Sequence, residues 1–337
     1  MNISVALCTY NGEKFLREQL DSIAAQTLPP AELVVCDDRS QDGTLVILED
    51  FKNRAAFPVA IHRNEENLGS TKNFEKAINH CSGEIIVLSD QDDVWKPQKL
   101  ERLAKALQTH PEAGYAFSDA ELVDEQLNPL PHSLWDSVGF RDRIRARFDN
   151  GEQVQCFARQ HIVTGATMAF RRSIGEMAMP FPTVGNWIHD GWIALVSSAT
   201  GYPGIPVAEQ LISYRQHSSQ QIGAPDPLEK EKRKSLLGMY QELKNNQQFL
   251  FSAWEKHCLQ ILKLKDILQQ LRENYPSPTL ERNLNYFQEF ENHFLRRKKI
   301  LTSQGLGRYG LVIREACTGR YGQFSGSWRS IFRDLFL

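Results

Sequence analysis

Short apolar runs alternate with amphipathic stretches through the first third of the chain. The pattern predicts strands over residues 3–8, 32–36, 59–63 and 84–88, and helices over 13–26, 44–53, 70–81 and 97–109. In the first helix Leu16, Leu20, Ile23 and Ala24 recur at helical spacing, which turns one face toward a sheet. Such a βα alternation predicts an α/β fold with a mainly parallel central sheet flanked by helices.

After a strand at 115–118 the pattern loosens through Asn128-Pro129 and Pro131. A strand at 163–170, a helix at 187–198 and a short strand at 209–214 follow. Residues 216–227 are rich in turn formers, and the domain boundary is placed there, giving domains at 1–223 and 224–337. The second domain reads as polar and helical to about Leu301. Leu262, Ile267, Leu268 and Leu271 mark an apolar stripe, and Tyr275-Pro276-Ser277-Pro278 is a turn between two helices.

A chain of 337 residues with 41% hydrophobic and 24% charged positions has the composition of an ordinary folded protein of about two domains. Its six cysteines are scattered without a C-x-x-C pair, and Cys8 and Cys36 fall inside strand patterns, which fits a reduced, cytoplasmic setting. No apolar stretch is long enough for a bilayer, and no basic and apolar signal region opens the chain, so neither spanning nor secretion is expected. The net charge of −2 hides an uneven distribution. Arg296, Arg297, Lys298, Lys299, Arg308, Arg314, Arg320, Arg329 and Arg333 face only Glu315 and Asp334, which suits an anionic membrane surface or another acidic partner. No nucleic-acid-binding motif accompanies this charge.

The chemistry gathers at the ends of the predicted strands. Leu88-Ser89-Asp90-Gln91-Asp92-Asp93 places three carboxylates where a buried strand reaches the surface. Carboxylates this close need a metal, a basic partner or a raised pKa. A hard divalent ion shared with a phosphate meets that need, and an acidic loop capping the helix near Pro97 is the alternative. The first strand ends in Cys8-Thr9-Tyr10-Asn11-Gly12, hydroxyls, an amide and a ring face suited to a base and ribose, or equally a capped turn. Neither G-x-G-x-x-G nor G-x-x-x-x-G-K-[ST] is present. The second strand ends in Asp37-Asp38-Arg39-Ser40-Gln41-Asp42-Gly43-Thr44, where Asp38 is placed to meet a ligand and Asp42 to close a turn or cap the next helix.

These elements in this order, with Asn67-Leu68-Gly69 between them, resemble the family 2 glycosyltransferases of GT-A fold over roughly residues 1–223. The wording Leu-Ser-Asp-Gln-Asp-Asp-Val-Trp is similar to the bacterial rhamnosyltransferase-like branch. The resemblance implies that Thr9, Tyr10, Asn11 and Asp38 cradle the nucleoside. It makes Asp90 and Asp92 a D-x-D pair, with Asp92 on a Mg2+ or Mn2+ ion, Asp90 nearer the ribose or the outer shell, and Gln91 beside the donor. Lys72-Asn73 stands where the family often has Arg-Asn, a change that keeps the charge and loses the planar fork. Asp190, in Trp187-Ile188-His189-Asp190-Gly191-Trp192, takes the place of the catalytic base, although an aspartate before an apolar helix otherwise reads as an N-cap. Arg215 and Gln216 are implied at the diphosphate and His217 at the metal. Trp187, His189 and Gly165 are implied at the acceptor side, with core packing the alternative for one of Trp187 and Trp192.

The activity so implied is inverting, metal-dependent sugar transfer, with rhamnose suggested by the branch. The donor is a dTDP- or UDP-linked sugar and the acceptor a saccharide or lipid-linked one in cell-surface polysaccharide synthesis. The rivals are a sugar nucleotidyltransferase, whose glycine-rich basic loop is absent, and a non-catalytic scaffold that binds a nucleotide sugar or polysaccharide. In the tail, Phe324, Trp328, Ile331, Phe332, Leu335 and Phe336 interleave with Arg320, Arg329 and Arg333. They read as an amphipathic basic segment on the inner membrane face, or as a helix packed on the catalytic domain or on a partner copy in an oligomer.

Overall fold

Every residue of β1 (Ile3–Thr9) is buried. In this computed structural model, which describes residues 1–182, 187–220, 223–225, 247–303, 305–325, 330–331 and 334–335, β1 runs parallel to β2 (Glu32–Asp37) and β4 (Ile85–Ser89). Val5 lies beside Leu33 on one edge and Val87 on the other. β3 (Val59–Arg63) extends the parallel block beyond β2. Strands apolar on both faces need cover on both sides, and α1 (Leu16–Ala24), α2 (Thr44–Arg54), α3 (Ser70–His80) and α4 (Lys99–Thr109) carry the matching apolar faces. Leu16, Leu20 and Ile23 of α1 are 0% exposed, each contributing roughly 1.5–3 kcal/mol. Ala24, expected on the same face, is exposed.

The chain leaves β1 for β2 and β3 and returns on its other side as β4. Strand order therefore reverses at β1, and the crevice beyond the carboxyl ends of such strands is where open α/β sheets hold ligands. Beyond β4 the sheet becomes mixed. β8 (Met168–Arg171) pairs antiparallel with β4 and with β6 (Tyr115–Val123), and β9 (Gly204–Arg215) runs parallel to β6. β5 (Val94–Trp95) lies antiparallel at the edge of the order β3-β2-β1-β4-β8-β6-β9-β5, and β7 (Pro129–Ser133) forms a hairpin with β6. The parallel block is the part that the βα alternation encodes.

Three segments differ from the pattern-based expectation. The strand expected at 163–170 pairs only over Met168–Arg171, because the Thr164 carbonyl accepts from both the Thr167 N–H (2.9 Å) and the Thr167 hydroxyl (2.8 Å), closing a 3-10 turn over Gly165–Thr167. The short strand expected at 209–214 is the twelve-residue β9, whose first half is only partly buried and carries Gly204 and Pro206, residues that read as turn formers. The loosened stretch after Pro131 folds as α5 (Leu134–Val138), α6 (Asp142–Asp149) and α7 (Gln153–Phe157). Their aromatic residues Trp135, Phe140 and Phe148 pack on Phe117 at ring separations of 5.5–5.7 Å. A capping box of Ser133 and Asp136 starts α5, and Gly139 in the left-handed region (φ 75°) ends it. Two further helices complete this unit, α8 (Arg172–Ala178) and α9 (His189–Thr200).

The chain divides into two compact units, Met1–Lys230 and Glu231–Leu337. The second is helical, with α10 (Gln247–Asn274), α11 (Pro278–Thr302), α12 (Leu306–Ala316) and α13 (Arg320–Phe324). Ser277 caps α11 by accepting the Leu280 N–H at 3.1 Å, with Pro278 in the first turn. The buried stripe of α10 is Ile261, Leu264 and Leu268, whereas Leu262, Ile267 and Leu271 are only half-buried.

Much of the tail's charge is paired within this unit. Arg297 makes a buried bidentate pair with Asp334 (2.6 and 2.7 Å), Arg296 meets Glu315 (3.1 Å), and Arg320 meets Glu289. Phe324 packs on Tyr286 and Phe290 at 5.2 and 5.7 Å. These contacts take Phe324 and Arg320 out of the expected lipid-facing set. Trp328, Arg329, Phe332, Arg333 and Phe336 lie outside the described residues. Among the described residues no helix is long and apolar enough to cross a membrane, and no disulfide forms.

Candidate active site

A cavity of about 760 Å³ opens in the first unit, lined by residues from the ends of β1, β2, β4 and β9 and from the Gly165 turn and the start of α9. That volume lies within the usual range for small-molecule sites.

The side of the cavity formed by the ends of β1 and β2 is organised by loops bound to one another. Thr9 Oγ1 donates to Asp37 (2.9 Å), and Asp37 in turn accepts from the Ser40 amide and hydroxyl. Gln91 pairs reciprocally with the Tyr10 backbone, accepting its N–H at 2.8 Å and donating to its carbonyl at 3.0 Å. A Cβ at Gly12 would overlap the Gln91 amide oxygen, so a side chain there would displace Gln91 from the Tyr10 backbone. Tyr10 is half exposed on the cavity. Asp38 is buried, and its carboxylate accepts from Asn64 Nδ2 (2.8 Å), Leu68 N–H (2.7 Å) and Gly69 N–H (2.9 Å). Replacing Asp38 with Ala leaves these donors without their acceptor, and we expect a stability loss of about 2–4 kcal/mol. Urea denaturation reads it, and a loss of a few tenths would show that the Asn67–Gly69 loop does not depend on Asp38.

The acidic run contributes Asp90, Gln91 and Asp92 to the cavity. Burial, reinforced by the Asp92 and Asp190 carboxylates, pushes Asp90 up to about 7, against the pull of Lys99. Asp92 Oδ2 lies 2.9 Å from His217 Nε2, and the His217 ring rests on Phe15 at 4.8 Å. Asp93 is not the helix cap that the sequence allowed. It is buried, its Oδ1 accepts the Arg215 N–H at 3.0 Å, and α4 is preceded by Gln98 without a side-chain cap.

The second half brings Asp190. It stands in the first turn of α9, where helix N–H groups favour a negative charge. Its Oδ2 accepts the Gly165 N–H at 2.7 Å and its Oδ1 accepts the Gly191 N–H at 2.5 Å. These bonds fix the carboxylate while leaving further lone-pair positions on both oxygens. A Cβ at Gly165 would lie 3.1 Å from His189 Nε2 and 3.4 Å from Asp190 Oδ2, so glycine permits this close approach. His189 stacks on Phe74 at 4.1 Å, and burial pulls its imidazole below the usual range, with Asp190 opposing.

Five of the sequence-predicted residues are engaged by other parts of the protein, and of these only Arg215 lines the cavity. Lys72 Nζ binds Glu75 (2.9 Å) and the Phe181 carbonyl (3.2 Å) and does not line the cavity, because its own helix neutralises it one turn on. Asn11, at φ 48°, joins two loops by donating its N–H to Ser40 and accepting from the Gln41 N–H. Gln216 braces the following loop through the Ala224 N–H at 2.8 Å. Trp187 lies against His161 (5.6 Å) outside the cavity lining. Arg215 lines the cavity, but each guanidinium nitrogen donates to protein: Nε to the Asp92 carbonyl (2.8 Å), one terminal nitrogen to the Glu125 carbonyl (2.5 Å), the other to Glu18. It clamps the acidic run instead of presenting a free fork to phosphate. Trp192 belongs to the core and donates to the Ala178 carbonyl at 2.7 Å.

Among the described residues no group of three His, Cys, Asp or Glu side chains is arranged to hold a metal unaided. Asp92 and His217 nonetheless offer an oxygen and an imidazole 2.9 Å apart, with the half-buried Asp90 carboxyl also on the cavity. That donor set fits Mg2+ or Mn2+, which take few protein ligands and fill the remaining positions with water and substrate phosphate. Asn73, Gln160, His161, Thr164 and Ser219 also line the cavity and were not singled out as ligands from sequence. Only Asn73 had a signal, its place beside Lys72.

Residues 4–176, just over half of the chain, match the model of glycosyl transferase family 2, and the chain belongs to that family. An uncharacterized protein of Mycobacterium bovis is 33% identical over 125 residues, 36% of each chain. The match thus spans about a third of that relative's length. An uncharacterized glycosyltransferase of Nostoc sp. is 24% identical over 242 residues, 71% of this chain and 72% of the relative. Among solved structures, Staphylococcus aureus TarS 1-349, determined with UDP-GlcNAc, superposes with a TM-score of 0.52 at 18% identity, covering 94% of this chain and 79% of that one. The fold is therefore that of the GT-A glycosyltransferases.

Proposed function

We propose that this protein transfers a sugar, with inversion, from a nucleotide-diphosphate donor to a hydroxyl of a saccharide or lipid-linked acceptor. The observation that carries the reading is that Asp190 and the Asp90–Asp92 run open on one cavity at the strand-order reversal. Catalysis is assigned to the first unit, because every lining residue of the cavity lies within it. Membership of glycosyl transferase family 2 supports the reaction class.

In this reading Tyr10, Thr9 and the Asp38-held loop receive the nucleoside. Asp92 and His217, with Asp90 beside them, would hold a divalent ion. That ion, when bound, supplies positive charge to the leaving group. Asp190, held by the Gly165 and Gly191 N–H groups, removes the proton of the acceptor hydroxyl as its oxygen attacks the anomeric carbon. The new glycosidic C–O bond forms as the bond to the diphosphate oxygen breaks, and the electron pair leaves with the nucleoside diphosphate. A single displacement inverts the anomeric carbon.

Rhamnose and a dTDP- or UDP-linked donor are the specific assignments suggested by the Leu88–Trp95 wording. A panel of dTDP-rhamnose, UDP-glucose, UDP-GlcNAc and GDP-mannose tests them through slow donor hydrolysis. We expect turnover of a dTDP- or UDP-sugar in Mn2+ or Mg2+ that stops in EDTA. Hydrolysis of the same rate in EDTA would contradict the metal assignment, and preference for GDP-mannose would contradict the donor assignment.

A further inference from the structure

Lys99 is 0% exposed and stands at the first position of α4. Both features disfavour an amine: burial removes its water, and the start of a helix carries positive partial charge. Three contacts compensate. The amine donates to the Ala166 carbonyl at 2.5 Å, lies 3.6 Å from the centre of the Trp95 ring, and sits in the field of Asp93 and Asp90. Burial pulls the Lys99 amine well below the lysine range while those two carboxylates hold it up, and burial pushes Asp93 in the opposite direction.

The two covalent neighbourhoods that Lys99 touches are the two halves of the site. Ala166 belongs to the 3-10 turn whose Gly165 N–H holds Asp190. Trp95 belongs to β5, directly after Asp92-Asp93-Val94, and pairs with Ile212 of β9 just ahead of Arg215. The hydrogen bond to Ala166 ties the amine to the turn, and the Trp95 face ties it to the strand that follows the acidic run. We infer that Lys99 is a positioning residue, whose amine couples the turn that aims Asp190 to the acidic run that holds the donor. The inference rests on the roles proposed above for Asp190 and Asp92.

Lys99→Met keeps the stem on Trp95 and removes the donor. Hydrogen–deuterium exchange of the full chain reads the tie without any substrate. We expect amide exchange in segments 163–168 and 90–95 to accelerate at least tenfold, with the β1 and β2 segments unchanged. Turnover of the panel's dTDP- or UDP-sugar should then show kcat reduced at least tenfold. Lys99→Gln, which restores a donor for the Ala166 carbonyl, should recover part of both losses. Unchanged exchange in both segments would overturn the inference. So would a uniform acceleration that includes β1 and β2, which marks a general stability residue, or an unchanged kcat in a variant whose segments have loosened. Because exchange is independent of the donor, a failure of the inference and a failure of the functional reading give different results.

Discussion

Asp190→Asn is expected to lower kcat about 10²- to 10⁴-fold, the usual contribution of a positioned general base, while donor affinity stays within about threefold. The amide keeps one oxygen for the Gly165 or Gly191 N–H and turns its NH2 toward the other, so one of the two bonds that fix the carboxylate is lost. We therefore expect a folded variant, less stable by about 1–2 kcal/mol. Asp190→Ala should lose both acceptors and more stability. Calorimetric titration with donor and steady-state turnover on the same preparation separate the effects. Turnover within tenfold of the parent chain would remove Asp190 as the base, whereas lost donor binding would place it in the donor site.

The second large effect is expected from Asp92→Ala. Its carboxylate is the partner of His217 Nε2 and one of the acidic neighbours that push Asp90 upward. If Asp92 and His217 share a divalent ion with the diphosphate, the variant should bind nucleoside diphosphate at least about tenfold more weakly in Mn2+. It should also become nearly indifferent to EDTA. The parent chain in EDTA should resemble the variant in Mn2+, because both lack the same bridge. A variant that still gains affinity on adding Mn2+ by the parent's factor would show that the ion is held elsewhere.

The sequence made the site's address legible more readily than the aim of its side chains. The parallel strands whose ends carry Thr9, Asp38 and the Asp90–Asp92 run follow from the apolar runs and their spacing, whereas the reversal of strand order at β1 that brings those ends to one crevice is set by strand pairing that spacing does not encode. Resemblance to a family order was needed to join Asp190 to them, because an aspartate ahead of an apolar helix carries no long-range signal. Lys72, Asn11 and Gln216 are polar residues near the site whose direction is set by Glu75, Ser40 and the Ala224 N–H, contacts that spacing does not encode. Arg215 shows the same limit from the other side. It reaches the cavity, but Glu18 and two carbonyls take its donors. Lys99 was invisible because a lysine in the first turn of an amphipathic helix reads as solvated, and only the packing of the Ala166 turn over it reveals otherwise.

The central claim is that one cavity presents a nucleotide-linked sugar to a hydroxyl activated by Asp190 in a single displacement. Proton NMR of the first-formed product tests it most directly, through the coupling constant of the transferred anomeric proton. The account predicts an anomeric configuration opposite to that of the donor. A product that keeps the donor's configuration would require two displacements, and would contradict the role given to Asp190.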